Sequence, residues 1–195
     1  MRKMITVKIN GEERQYPQGA TYEDVANDYQ QEYENLIALA ARDGKIRELF
    51  KKLTRDCEVT FFTLKDDVGN KTYVRSATML FLKAVFDVYG REAAQSCRVE
   101  FAIGNGSYIS PKGKINATEE NAAKIRNRMR ELVEAKTPFL KRSYSLDNAM
   151  ELFRKEGMKD KEKLFRYRRG SFVNIYEMDG YYDYYYGYML PNAGY

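Results

Sequence analysis

The sequence predicts an α+β chain of two domains, residues 1–64 and 73–195, with residues 65–72 as the connection. Three observations predict it. Ile5, Val7 and Ile9 alternate with polar residues and run into Asn10-Gly11, a strong two-residue hairpin signal. Apolar residues then recur at helical spacing in two long stretches, one opening at Ser76 and one at Thr118. Before the first of these, Lys65-Asp-Asp-Val-Gly-Asn-Lys71 is polar and contains Gly69-Asn70, the composition of a connection.

In the first domain, Glu12–Tyr16 is the return strand of the hairpin, and residues 17–19 make a turn. Thr21 then caps a helix, with Asp24 three positions on in a capping-box-like arrangement. Tyr22, Val25, Ala26 and Tyr29 give that helix one apolar face. The apolar run 36–41, an Asp43-Gly44 turn, a short basic-amphipathic segment around Ile46–Leu53 and the strand 58–64 complete it. The order strand, strand, helix, strand, last strand describes a β-grasp (ubiquitin-like) fold.

In the second domain, Ala77, Leu80, Phe81, Ala84, Val85 and Val88 form one buried helix face, which Gly90 terminates. Val99–Ile103 and Ser107–Ser110 are strands around a Gly104-Asn-Gly106 turn. Thr118 opens a helix with Glu119 and Glu120 in its first turn, where the helix dipole favours anions. A short strand from Pro138 follows, and Ser145 caps a further helix that runs through Glu156. The final residues, Pro191-Asn-Ala-Gly-Tyr195, read as a cut through a structure, so a fragment of a longer protein is expected.

Composition narrows the chemistry. The 195 residues carry a net charge of +5, which permits an anionic partner such as RNA or a nucleotide without demanding one. There is no histidine, so no imidazole can bind a metal or move a proton anywhere in the chain. Cys57 and Cys97 fall in different domains without CxxC spacing and are expected to be reduced. No apolar run approaches the ~20 residues of a membrane span, and a cytoplasmic protein with no membrane partner is expected.

Two resemblances add to this reading. Residues 4–64, with Asn10-Gly11, the Thr21 helix start and the late Val59–Thr63 strand, look like a TGS domain, the ubiquitin-like module at the start of threonyl-tRNA synthetases. Arg75-Ser-Ala-Thr-Met79 and Asp183-Tyr-Tyr185-Tyr-Gly-Tyr-Met189 resemble two motifs of the second additional domain of threonyl- and alanyl-tRNA synthetases, which edits mischarged tRNA. Those motifs read His-x-x-x-His and Cys-x-x-x-His in the family; here the four positions hold Arg75, Met79, Tyr185 and Met189. A guanidinium, two thioethers and a phenol neither hold zinc well nor shuttle protons at neutral pH. The resemblance therefore implies an editing-like domain, cut at its C-terminus, that keeps the frame without the chemistry.

The combination, with the run Lys161-Glu-Lys-Leu-Phe-Arg-Tyr-Arg-Arg169, resembles the N-terminal half of bacterial nucleoside kinases of the uridine kinase/phosphoribulokinase family. That resemblance implies a C-terminal kinase domain in the same polypeptide using ATP and Mg²⁺, and a regulatory or ligand-recognition role for this region. No cofactor is expected within these residues. Gly44-Lys45 and Gly113-Lys114 are the nearest fragments of a phosphate-cradling loop, and neither is complete.

Candidate contact residues remain. By analogy with the synthetases, Lys161 takes the place of a site lysine, and Asp183 is a polar group such a site would use; the alternative for Asp183 is a strand-end or turn residue. Lys163, Arg166, Arg168 and Arg169, with Phe165 and Tyr167 interleaved, suit phosphate and base contacts, the alternative being a solvated strand or turn. The tyrosines between 181 and 188 read either as a stacking platform or as a half-buried strand with Tyr182, Tyr184 and Tyr186 on one face. Arg75 either helps plug the old site or offers its guanidinium to an anionic ligand. A second reading of the whole is an RNA- or tRNA-binding module, or a metal-independent aminoacyl-tRNA deacylase using Asp183 and Lys161.

Overall fold

The computed structural model describes residues 3–104, 106–113, 115–168 and 170–195. Two of the turn and loop residues singled out above, Asn105 and Lys114, and the candidate Arg169, lie outside the described residues. The chain is mixed α+β and divides into two compact units. Unit 1 holds the residues up to Ser76 with Gly187–Pro191 and Tyr195; unit 2 holds Ala77–Tyr186 with Asn192–Gly194.

Unit 1 is built on strands β1 (Met4–Ile9), β2 (Glu12–Pro17), β3 (Ile37–Arg42), β4 (Lys45–Glu48) and β5 (Cys57–Thr63), joined in one sheet in the order β2-β1-β5-β3-β4. β1 and β5 are parallel and the other neighbours antiparallel. Asn10 and Gly11 both take positive φ, 51° and 88°, as a two-residue hairpin with matching twist requires. The register that follows, Ile5 against Tyr16 and Ile9 against Glu12, sends Ile5, Val7 and Ile9 to one buried face. Onto that face packs α1 (Tyr22–Tyr29) through Tyr22, Val25, Ala26 and Tyr29. Its start is a full capping box: Thr21 Oγ1 accepts from Asp24 N at 3.1 Å, and Asp24 Oδ2 accepts from Thr21 N at 2.7 Å. Caps of this kind contribute about 1 kcal/mol. The basic-amphipathic stretch around Ile46–Leu53 is a strand at its start (β4) and then a loop that turns back on α1, where Tyr22 N donates to Lys51 O at 3.0 Å.

The connection expected over 65–72 is instead helical from Asp67, and the helix expected from Ser76 is the continuation of α2 (Asp67–Tyr89). Gly69 explains the difference. A Cβ there would stand 1.9 Å from Thr63 O, so the glycine serves a close approach of helix to strand and not a turn. Lys71 and Asp67 add an exposed i,i+4 pair at 2.7 Å.

Unit 2 continues α2 and adds α3 (Arg91–Ser96), the hairpin β6 (Arg98–Ile103) and β7 (Gly106–Ser110), and α4 (Glu119–Glu134). Then come β8 (Leu140–Ser145), α5 (Leu146–Lys155), α6 (Lys159–Phe165), β9 (Phe172–Met178) and β10 (Tyr181–Asp183). Strands β10-β9-β8 form an antiparallel sheet. Thr118 and Ser145 cap their helices as expected, accepting from the amides of Asn121 and Asn148. Phe153 and Phe165 stack at 5.3 Å and tie α5 to α6. Among the described residues no helix is long and apolar enough to cross a membrane.

Two further expectations change. The basic run begins neither as a strand nor as a turn, because Lys159–Phe165 is helical with Phe165 buried. The tyrosine strand ends at Asp183, so the alternation through Tyr186 does not form; Tyr186 is 87% exposed while Tyr181 is buried.

Candidate functional site

A cavity of about 530 Å³ opens within unit 2, lined by Gln95, Cys97, Arg98, Lys159, Tyr181 and the pair Lys161–Asp183, among others. Local structure explains how residues 22 positions apart meet. Asp179 and Gly180 take positive φ, 45° and 78°, and turn β9 into β10, with Tyr181 opposite Met178 and Asp183 opposite Tyr176. Asp183 thus sits at the end of β10, where the chain leaves the sheet. Gly157 ends α5 with φ 73°, and after Met158 the first turn of α6 carries Lys161 towards the same place.

Asp183 is buried and fully engaged. Its carboxylate takes the Lys161 ammonium, accepts the Tyr181 hydroxyl at 3.3 Å and accepts Tyr184 N at 2.6 Å. Burial, then the charge of Asp183, pushes the Tyr181 phenol well above its ordinary value, so it remains a donor. Burial also pushes up the Cys97 thiol, which is therefore not an activated nucleophile. The Tyr185 hydroxyl is buried and finds no hydrogen-bond partner of ordinary geometry. Burial first and the nearby Asp183 carboxylate second hold that phenol protonated. A carboxylate tied by three donors fixes the orientation of whatever surrounds it.

The four positions matched by resemblance to the editing motifs, Arg75, Met79, Tyr185 and Met189, divide between the units. In unit 1, Arg75 Nη1 donates to Tyr188 O at 2.5 Å, and Ser76 Oγ receives Leu190 N at 2.9 Å and lies 3.9 Å from Met189 Sδ. Met189 is fully buried, and its amide donates to Glu48 Oε1 at 3.3 Å. Gly187 makes room for the guanidinium, since a Cβ on it would lie 2.6 Å from Arg75 Cζ. Arg75 is committed to the 187–191 segment. In unit 2, Met79 is fully buried, and the Tyr185 ring meets Tyr176 edge-on at 6.5 Å. Among the described residues, no group of three or more Cys, Asp and Glu side chains is placed to hold a metal ion.

The basic run has a definite surface. Lys163 is exposed on α6, Arg166 pairs with Glu162 at 3.1 Å, and Arg168 Nη1 reaches Tyr184 Oη at 2.5 Å. Arg168 also lies over the rings of Phe165 and Tyr184 at 5.5 and 5.4 Å. Tyr167 is 80% exposed beside it. Sequence reasoning missed Gln95, Cys97 and Arg98 as cavity residues and named Tyr181 only as part of the tyrosine run. No local pattern marks them, because α3, β6 and β10 come together only through the fold.

Fold and site together define a two-unit α+β protein whose second unit holds a polar cavity beside a half-buried lysine paired with a buried aspartate. Comparison with known proteins gives a consistent neighbourhood. The chain is 28% identical to threonine–tRNA ligase of Thermotoga neapolitana over 199 residues, covering 98% of this chain and 29% of that protein. It is 28% identical to that of Thermotoga maritima, covering 97% and 29%, and 27% identical to that of Maricaulis maris, covering 98% and 30%. Similarity to threonine–tRNA ligases thus runs along nearly the whole chain, which spans under a third of their length. No family model matches the chain.

Proposed function

We propose that this chain is a tRNA-recognising, editing-like module related to threonyl-tRNA synthetases, with the unit 2 cavity as the seat for the terminal nucleoside of the RNA. The observation that carries the reading is the Lys161–Asp183 pair inside that cavity. Arg98 and Lys159 at the same cavity suit the terminal phosphates, and Met158 and Tyr181 supply apolar wall for a base. Lys163, Arg166 and Arg168 with the exposed Tyr167 extend a cationic, aromatic surface for the preceding nucleotides. The sheet order of unit 1, with one helix on one face, supports reading that unit as a TGS-like β-grasp domain.

Without imidazole, the module recognises and does not cleave. The test is a titration of the full chain with threonine tRNA at several salt concentrations, beside a deacylation assay on the mischarged tRNA. Expected are saturable binding that falls steeply with salt, since each phosphate contact releases counterions, and no turnover. Absent or salt-insensitive binding overturns the reading. The Lys161–Asp183 pair also favours a second reading, a metal-independent deacylase. Turnover that disappears in Asp183→Asn would establish it in place of the first. A nucleoside kinase as the parent polypeptide, with ATP and Mg²⁺ at its own domain, rests on the two-domain combination, the Arg75 and Met79 replacements and the likeness of the 161–169 and 183–191 runs, and phosphoryl transfer by the full-length polypeptide is its test.

A further inference from the structure

Unit 1 has a hollow of its own, about 380 Å³, lined by Tyr22, Arg42, Arg47, Lys51, Lys52 and Thr54. Backbone pairing builds it. The loop after β4 doubles back on the start of α1, with Tyr22 N donating to Lys51 O at 3.0 Å, Glu23 N to Leu49 O at 2.8 Å and Leu53 N to Ala20 O at 2.7 Å. Thr21 and Lys52 form an isolated bridge in the same place. These bonds hold Lys51 and Lys52 beside Tyr22. The β3–β4 hairpin supplies the other wall, Arg42 from the end of β3 and Arg47 from β4.

The charge balance of this hollow is one-sided. Among the described residues, four cations line it and no carboxylate does. The nearby Asp43 is taken by Arg55 at 3.0 Å, and Asp56 by the amide of Thr6 at 2.8 Å. Arg42 donates to Thr54 Oγ1 at 3.0 Å and Arg47 to Ile46 O at 3.2 Å, which fixes both guanidinium groups without neutralising them. A second observation points the same way. The Tyr22 hydroxyl is buried on the wall of the hollow beside the Arg42 guanidinium, and no hydrogen bond of ordinary geometry satisfies it. Burial raises its phenol more than the charge and proximity of the Arg42 guanidinium lower it, so it stays protonated and able to donate. Buried polar atoms without partners are rare enough to need an explanation, and a ligand oxygen supplies one.

We infer that unit 1 binds a compact polyphosphate, the linked phosphates of a nucleoside di- or triphosphate, through Arg42, Arg47, Lys51 and Lys52. Four cations gathered around one hollow match charge concentrated at one end of a small ligand, whereas an RNA backbone spreads its charge along a strip. The volume lies in the roughly 300–1,000 Å³ range of small-ligand sites. The inference goes beyond the tRNA reading, which concerns unit 2, and does not depend on it.

The experiment is a calorimetric titration of the full chain with inorganic pyrophosphate at low salt, repeated on Arg42→Gln, on the double variant K51Q/K52Q, on Tyr22→Phe and on Lys161→Met. Expected is one saturable site, weakened about tenfold or more by Arg42→Gln and by K51Q/K52Q, and unchanged in Lys161→Met. Tyr22→Phe is expected to weaken binding while raising the melting temperature, a combination that a purely structural hydroxyl does not give. A short single-stranded RNA is then titrated with and without pyrophosphate. Absence of saturable binding overturns the inference, as does equal affinity in wild type and the unit 1 variants. RNA binding that Arg42→Gln and K51Q/K52Q weaken but pyrophosphate does not displace also overturns it, in favour of a backbone-binding surface in unit 1. Threonine tRNA binding that survives Arg42→Gln separates this site from the unit 2 reading, whatever the fate of either.

Discussion

The Lys83 ammonium is buried on α2, and Asp87, one helical turn on, neutralises it at 2.7 Å. Asp179 receives the same ammonium at its carbonyl oxygen, 2.7 Å, and at its carboxylate, 3.2 Å, while Asp87 also holds Arg128 at 2.8 Å. The two partners of the first pair are therefore not equivalent. Asp87→Asn leaves a buried charge short of its nearest counter-ion and is expected to destabilise unit 2 by about 3 kcal/mol. Lys83→Met removes the buried charge and leaves Asp87 with Arg128, so the loss should be smaller, about 1 kcal/mol. Denaturant melts of both variants decide the order, and the reverse order would contradict the assignment.

The Lys161–Asp183 pair makes a similar prediction with a different readout. Each single change, Lys161→Met or Asp183→Asn, is expected to cost roughly 1–3 kcal/mol, Lys161 being half-buried and partly screened. The double variant should cost less than the sum, because neither charge is then left alone. A double-mutant cycle by chemical denaturation measures the coupling, and additive effects would mean that the two side chains act independently.

Gly187 should tolerate no side chain. Its φ of 136° is strained for an L residue, and a Cβ would press on the Arg75 guanidinium. Gly187→Ala is expected to destabilise unit 1 by roughly 1–3 kcal/mol from the backbone strain alone, more with the clash. Adding Arg75→Ala relieves the clash and not the strain. A partial rescue in thermal melts is the expected result, and none at all would argue against the contact.

Glu162 sets a pH dependence in α6. Hydrogen bonds from Arg154 and then Arg166, at 3.0 and 3.1 Å, keep its carboxyl below the ordinary value of 4.5. A lowered folded-state value means that the contribution is complete above the unfolded value and lost as pH falls through the folded one. Amide-exchange protection of α6 should be level between about pH 5 and 8 and decline on further acidification. In Glu162→Gln the local acid dependence should disappear.

Much of unit 1 was legible because its signals are local. Asn10-Gly11 fixes a turn, the turn fixes the register, and Thr21 with Asp24 fixes the helix start. Gly69 misled because one residue type serves both turns and close approaches, and only Thr63 O, outside the helix, reveals which. The tyrosine run misled for a related reason: alternation persists only while a strand has a neighbour, and pairing with β9 stops at Asp183. At the candidate site, Lys161 and Asp183 were both named from the sequence, but their meeting was not, since 22 residues and the β9–β10 turn lie between them. The basic character of the Ile46–Leu53 segment was visible too. That Arg42 and Tyr22 join it depended on a hairpin and a loop closing around one hollow.

Each unit contains one of the two sulfhydryl groups, Cys57 in β5 and Cys97 just before β6. Both are half-buried, and burial raises both above the ordinary thiol value, so neither reacts readily while its surroundings stay closed. Alkylation rates at the two positions are consequently separate clocks for the opening of the two halves of the chain. Cys97 borders the cavity around the Lys161–Asp183 pair, so a ligand seated there should slow its clock and leave that of Cys57 running.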